Sequence, residues 1–106
     1  MSSARIRLPA SIKKGEIVEI KTLVTHTMES GQRRDAQNNV IPRKILNKFA
    51  CTYNGRDVFK ADLAPAISAN PYLAFFVTAS ESGTLDFVWT DDDGSTIKES
   101  AKITIA

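Results

Sequence analysis

Along most of its length the chain alternates apolar and polar residues with a period of two. In Ala4-Arg5-Ile6-Arg7-Leu8 the even positions are apolar, and Val18-Glu19-Ile20-Lys21-Thr22-Leu23-Val24 is again mostly apolar at even positions. Ile45, Phe49, Cys51 and Tyr53 share one parity, Phe59, Ala61 and Leu63 another short run, and Leu85, Phe87 and Trp89 a third. Ile97, Ala101, Ile103 and Ile105 keep an odd parity near the end. Successive side chains of a strand point to opposite faces, so each run puts one face on a core and the other in water.

The punctuation agrees. Asn54-Gly55 supplies the two positive-φ residues of a tight type I′ hairpin. Glu81-Ser82-Gly83 and Asp93-Gly94 mark further reversals at sandwich-like spacing. The pattern predicts an all-β chain with strands near 4–8, 16–24, 45–53, 56–62, 72–79, 84–91 and 96–105. Seven such strands predict an immunoglobulin-like β-sandwich, and 106 residues suit one domain over 1–106. A domain of that size can bury a core without metal or disulfide. The single cysteine, Cys51, rules out an internal disulfide framework. No stretch approaches the ~20 apolar residues of a membrane-spanning helix.

Two stretches break the pattern. Residues 26–44, HTMESGQRRDAQNNVIPRK, form a long polar excursion. Loops beyond ~12–15 residues inside a domain are usually functional or disordered. This one is basic, with Arg33, Arg34, Arg43 and Lys44 against Glu29 and Asp35, which marks those four cations as candidates for charged docking. Charge is uneven over the whole chain: residues 81–106 hold six acids and two bases, residues 1–80 twelve bases and six acids. The net of +2 is too small to predict nucleic acid or an anionic membrane as partner. The second stretch, 64–71, is expected to hold one short helical turn before Pro71 enforces an extended entry to the next strand.

That strand is apolar on both faces. Leu73, Phe75, Val77 and Ala79 suit the core, yet Tyr72, Ala74 and Phe76 occupy the face that should meet water. Tyr72 and Phe76 are therefore candidate anchors for a partner, the alternative being a neighbouring loop of the same chain laid over them.

Catalytic apparatus is scarce. His26 is the only histidine, and His26-x-Met28 with distant Cys51 makes a poor copper-like trio; His26 is expected to be a polar loop residue. Cys51 shares the parity of Phe49 and Tyr53, which predicts an inert core thiol. Asp91-Asp92-Asp93-Gly94 lacks the alternating ligands of a calcium loop and is expected to be a solvated turn. No cofactor is implied, and the chain looks like a binding subunit and not an enzyme.

The same segments resemble one family. His26-Thr27-Met28-Glu29-Ser30-Gly31-Gln32-Arg33-Arg34-Asp35, then Ile41-Pro42-Arg43-Lys44-Ile45-Leu46-Asn47-Lys48-Phe49, resemble the SoxZ family of the bacterial thiosulfate-oxidising Sox system. The likeness continues through Tyr53-Asn54-Gly55, Ser68-Ala69-Asn70-Pro71-Tyr72 and Glu81-Ser82-Gly83 to Trp89-Thr90-Asp91-Asp92-Asp93-Gly94. Each piece alone is weak; the ordered set at these spacings is specific and spans about Arg5 to Ile105.

The resemblance implies an immunoglobulin-like fold, in agreement with the strand count. It implies pairing with SoxY, whose carrier cysteine in a glycine-rich C-terminal arm holds thiosulfate and later sulfur intermediates while other Sox enzymes dock in turn. That motif is absent from Lys102-Ile103-Thr104-Ile105-Ala106, so the likeness is to the companion and not the carrier. It also implies the periplasm, by export alongside a signal-bearing partner, although the polar start Met1-Ser2-Ser3 carries no apolar signal run and by itself reads as cytosolic. A rival reading from another class is a small periplasmic redox or metal-binding sandwich protein using Cys51 and His26.

Overall fold

The alternation resolves into seven strands: β1 (Ala4–Arg7), β2 (Ile17–Val24), β3 (Leu46–Tyr53), β4 (Arg56–Asp62), β5 (Tyr72–Thr78), β6 (Gly83–Asp91) and β7 (Thr96–Ile103). The computed structural model describes residues 4–26, 28–29, 31–63 and 70–105. The short helical turn expected within 64–71 falls mostly on 64–69, outside the described residues. Among the described residues there is no helix, hence none long and apolar enough to cross a membrane.

The strands form two antiparallel sheets, one ordered β1-β2-β5 and the other β4-β3-β6-β7. This is the immunoglobulin-like sandwich read from the sequence, with one particular: β4 pairs with β3 and not with β5, as it would in a constant-type domain. The local cause is the Asn54-Gly55 turn. Both residues have positive φ, 51° and 84°, the type I′ geometry that folds β4 straight back onto β3. Strand β7 ends two residues earlier than its parity predicted. Ile105 instead makes an isolated parallel bridge to Ile12, outside the named strands.

The inward faces meet around Phe49. Its ring lies 5.0 Å from Trp89 and 6.0 Å from both Phe59 and Phe75, so one aromatic cluster links the sheets. Phe75 of the three-stranded sheet stacks on Phe59 of the other at 4.6 Å. Ile45 and Leu46 are both fully buried although adjacent, because the β3–β6 register slips between Leu46 and Lys48.

The 26–44 excursion is more ordered than a structureless loop. Glu29 and Lys44 exchange backbone hydrogen bonds of 2.9 and 2.7 Å at its base, and Arg34 bridges Val40 nearer its tip. Between them Asp35 Oδ1 accepts the amides of Gln37 and Asn39, both at 2.9 Å, and turns the chain. At Gly31, φ is 86° and a Cβ would lie 3.1 Å from Arg43 Cβ, so the ascending and descending limbs touch where only glycine fits well.

Candidate functional site

Two regions concentrate the residues singled out above: the base of the excursion, and the outer face of the three-stranded sheet. At the base, His26 is not the polar loop residue expected. It is buried, 7% exposed, and both ring nitrogens are engaged. Nδ1 accepts the Met28 amide at 2.9 Å, so the ring proton sits on Nε2 and is donated to Asp91 Oδ2 at 2.7 Å. Met28 adopts φ 52° to make that turn, and its Sδ accepts the Leu46 amide at 3.3 Å.

Asp91, expected in a solvated turn, is equally buried at 5%. Its Oδ2 also accepts Lys44 Nζ at 2.9 Å, and Oδ1 accepts the Asp93 amide at 3.2 Å. Burial works against its charge, but the hydrogen bonds from Lys44, His26 and the Asp93 amide outweigh that and hold its pKa below the ordinary carboxylate range. Asp92 takes a two-pronged grip from Arg43, Nε to Oδ2 at 2.8 Å and Nη2 to Oδ1 at 3.1 Å. Asn47 and the Ile45 amide add two donors, and Arg43 foremost, then Asn47, drives the Asp92 pKa well down. Asp93 is held below its ordinary value by Ser95, with Lys44 Nζ 3.5 Å away. Only the rest of the turn, around Gly94, matches the solvated hairpin read from the sequence.

The four basic candidates therefore separate. Arg43 and Lys44 are committed to Asp92 and Asp91, and Arg33 pairs with Glu29 within the excursion. Arg34 alone has no carboxylate within ion-pair distance among the described residues; its guanidinium donates to the Asn38 carbonyl at 3.1 Å. The missed signal was the aspartate triplet itself: three acids preceding a glycine turn can be counterions for Arg43 and Lys44, but nothing local in the sequence brings the two together.

Cys51 is fully buried and faces the core between Phe59 of β4 and Phe87 of β6. Burial, with a smaller push from Asp86, raises its thiol pKa to about 12, so the thiolate a nucleophile or metal ligand needs is suppressed. Phe87 and Asp91 are four residues apart on β6, on the order of 13 Å at strand rise, so the structure does not bring Cys51 and His26 together. Among the described residues no three His, Cys, Asp or Glu side chains are grouped to hold a metal.

The outer sheet face is the second region. Tyr72 is 58% and Phe76 66% exposed, and no loop of the described chain covers them. The register sets Leu23 beside Tyr72, Lys21 beside Ala74 and Glu19 beside Phe76, with exposed Ile17 next along β2. Arg5 and Arg7 of β1 continue the rows beyond Leu23 and Lys21. The face thus carries apolar Ile17, Leu23, Tyr72, Ala74 and Phe76 around the Glu19–Lys21 pair of β2, with Arg5 and Arg7 flanking them on β1.

Comparison with known proteins places this geometry. The family described as "Sulphur oxidation protein SoxZ" matches residues 6–102. No curated protein matches the chain in sequence. Among solved structures, a superoxide reductase (neelaredoxin) from Ignicoccus hospitalis is similar with a TM-score of 0.71 at 13% identity, over 98% of this chain and 80% of that one. A putative superoxide reductase from Thermotoga maritima gives 0.71 at 17% identity, over 97% and 85%. The sulfur carrier protein SoxY from Chlorobium limicola f thiosulfatophilum gives 0.69 at 10% identity, over 97% and 78%. At these identities the structural likeness is one of fold alone. The sequence match is of another kind, running over nearly the whole sandwich and through both the excursion and the aspartate turn: the chain belongs to the SoxZ family of sulphur oxidation proteins.

Proposed function

We propose that this SoxZ-family chain acts in the Sox system as the non-catalytic companion of a SoxY-like carrier subunit, binding it as a heterodimer in the periplasm through the outer face of β2 and β5. The observation that carries the reading is the exposure of Tyr72 and Phe76, with Leu23 and Ile17, on one face of a sheet whose other face is the core. Permanent interfaces are more apolar than ordinary surface and centre on aromatic anchors. The partner must then supply the sulfur-bearing thiol, because Cys51, the only cysteine of the sequence, is enclosed and held protonated. The rival redox or metal role for Cys51 and His26 lacks support: the thiol faces the core, and both imidazole nitrogens already have partners.

Co-expression with a SoxY-like subunit, followed by mass determination, is expected to give a one-to-one complex. Intact-mass analysis of both subunits after thiosulfate turnover is expected to find added sulfur on the partner and none on Cys51. Sulfur on Cys51, or failure of the two chains to associate, defeats the proposal.

Transient docking of the Sox enzymes falls in this reading to the excursion, whose exposed tip projects Arg34. The other three candidate cations are largely neutralised by Glu29, Asp91 and Asp92. Arg34→Ala is expected to slow association with a Sox enzyme roughly two- to fivefold at low salt, and Arg33→Ala less, because rim charges act mainly on encounter. The difference should fade near physiological ionic strength, where the Debye length is about 8 Å. Stopped-flow association across a salt series measures it; equal rates for wild type and Arg34→Ala at every salt concentration remove Arg34 from the docking surface.

A further inference from the structure

The two sheets have four edges, and three of them are guarded. Strand β1 is only four residues long and carries Arg5 and Arg7. Strand β4 carries Arg56, Asp57, Lys60 and Asp62, and its register with β3 slips between Cys51 and Thr52. Strand β7 carries Lys98, Glu99 and Lys102. Charges, bulges and shortness are the devices that keep a sheet edge from pairing with another chain. Strand β5 has none of them. Its seven residues, YLAFFVT, contain no charge and no proline, and its register with β2 is unbroken.

The backbone phase of β5 can be read from its two ends. Val24 N donates to the Pro71 carbonyl at 3.2 Å, and Ala79 N donates to the Glu16 carbonyl at 2.8 Å. The pairs between them in the same phase are Thr22 with Leu73, Ile20 with Phe75 and Val18 with Val77, so those β5 residues turn their N–H and C=O groups to β2. Tyr72, Ala74, Phe76 and Thr78 turn theirs to the open side. Among the described residues, those with exposed outer-face side chains are therefore the ones whose backbone groups find no partner. Beside Phe76 and Thr78 lies a groove of about 330 Å³, lined across from them by Arg56 and Val58 of β4 and by Glu81, and among the described residues β5 pairs with β2 alone.

We propose that the open edge of β5 is a strand-pairing site, and that its occupant is an uncharged strand of the SoxY-like subunit, joining the two sandwiches in one continuous sheet. The inference rests on the heterodimer reading above and goes beyond it, from a covered face to a backbone ladder. Two features commit the occupant. A neutral edge of alternating exposed apolar side chains selects a neutral, alternating strand, since apolar cross-strand pairs on one face stabilise a ladder. The solved SoxY structure shares this sandwich fold over 97% of the chain, and an open sandwich ends in edge strands that can pair.

Residue-resolved amide exchange tests it. In the isolated chain the Ala74, Phe76 and Thr78 amides are expected to exchange far faster than those of Phe75 and Val77; in complex with the SoxY-like subunit they should slow about 100-fold or more. Ala74→Pro removes an outward N–H on an edge strand, where proline is tolerated, and is expected to leave the melting temperature of the isolated chain nearly unchanged while weakening the complex about tenfold or more. A complex that forms while those amides still exchange freely overturns strand pairing and leaves the heterodimer standing. Protection of the same amides in the isolated chain, at twice the monomer mass, assigns the edge to a second copy and overturns the proposed occupant. If no complex forms, the heterodimer reading fails first, and this inference with it.

Discussion

Asp91→Ala is expected to destabilise the isolated chain by about 3 kcal/mol, the low end for breaking a buried charged pair from one side. Three donors lose their acceptor together: His26 Nε2–H, Lys44 Nζ and the Asp93 amide. The His26 ring cannot turn to find another without giving up the Met28 amide on Nδ1. Lys44 is half exposed and recovers water, which is why the loss stays at the low end. For a domain whose whole stability is of order 5–15 kcal/mol, such a change is visible in a urea melt as a large drop in midpoint at constant slope. A shift below about 0.5 kcal/mol, the size usual for surface substitutions, would mean that the cluster is ornamental.

The same carboxylates set the acid limb of stability. Asp91, Asp92 and Asp93 all have folded-state pKa values below their ordinary ones, so the native state holds them charged where the unfolded chain would bind protons. Their contribution is complete above the ordinary carboxylate range near pH 4 and is lost as pH falls through the lowered folded values. Wild-type stability should therefore decline steeply only below about pH 4, and Asp91→Ala should decline less over that window.

What the sequence disclosed and what it hid divide along chain distance. Strand positions, the Asn54-Gly55 reversal and the core placement of Cys51 and Trp89 follow from side-chain parity and turn chemistry, which act over a few residues. The two-faced character of β5 is legible for the same reason, since Tyr72, Ala74 and Phe76 sit on one parity within a single strand. The excursion base is different. His26 and Asp91 lie 65 positions apart and Arg43 and Asp92 49 apart, so neither pairing leaves a periodic trace. Read locally, a lone histidine beside a polar loop and an aspartate-rich turn both look solvated. Only the β3–β6 pairing, which carries Asp91 and Asp92 to the start of β3, turns them into the floor on which the excursion stands. The same pairing changes the meaning of the basic residues. Arg43 and Lys44 look like free cations in sequence and in the fold are paired with Asp92 and Asp91, with about half of each side chain still exposed.

Tyr72→Ala and Phe76→Ala are each expected to weaken the complex with the SoxY-like subunit by about 2 kcal/mol, roughly 30-fold in Kd, while the isolated chain keeps its fold. The two halves of that expectation rest on exposure. In the free chain more than half of each residue is in water, so loss of its ring costs the fold little, within about 0.5 kcal/mol, the range usual for surface sites. In the complex the same rings are desolvated, and aromatic anchors near the centre of an interface are where truncation costs most. The neighbouring residue supplies the control. Phe75 points the other way, 5% exposed and stacked on Phe59, so Phe75→Ala should cost the isolated chain about 3–5 kcal/mol and reach binding only through the damaged fold. Tyr72 and Phe76 are four residues apart on one strand face, on the order of 13 Å, far enough for their losses to add nearly independently. Titration calorimetry of each variant against the partner, with a urea melt of each variant alone, measures both halves. If Phe76→Ala unfolds the isolated chain, the ring belongs to its own core after all. If both variants fold and bind like wild type, the partner sits elsewhere, and the outer face of β2 and β5 must answer to a different surface.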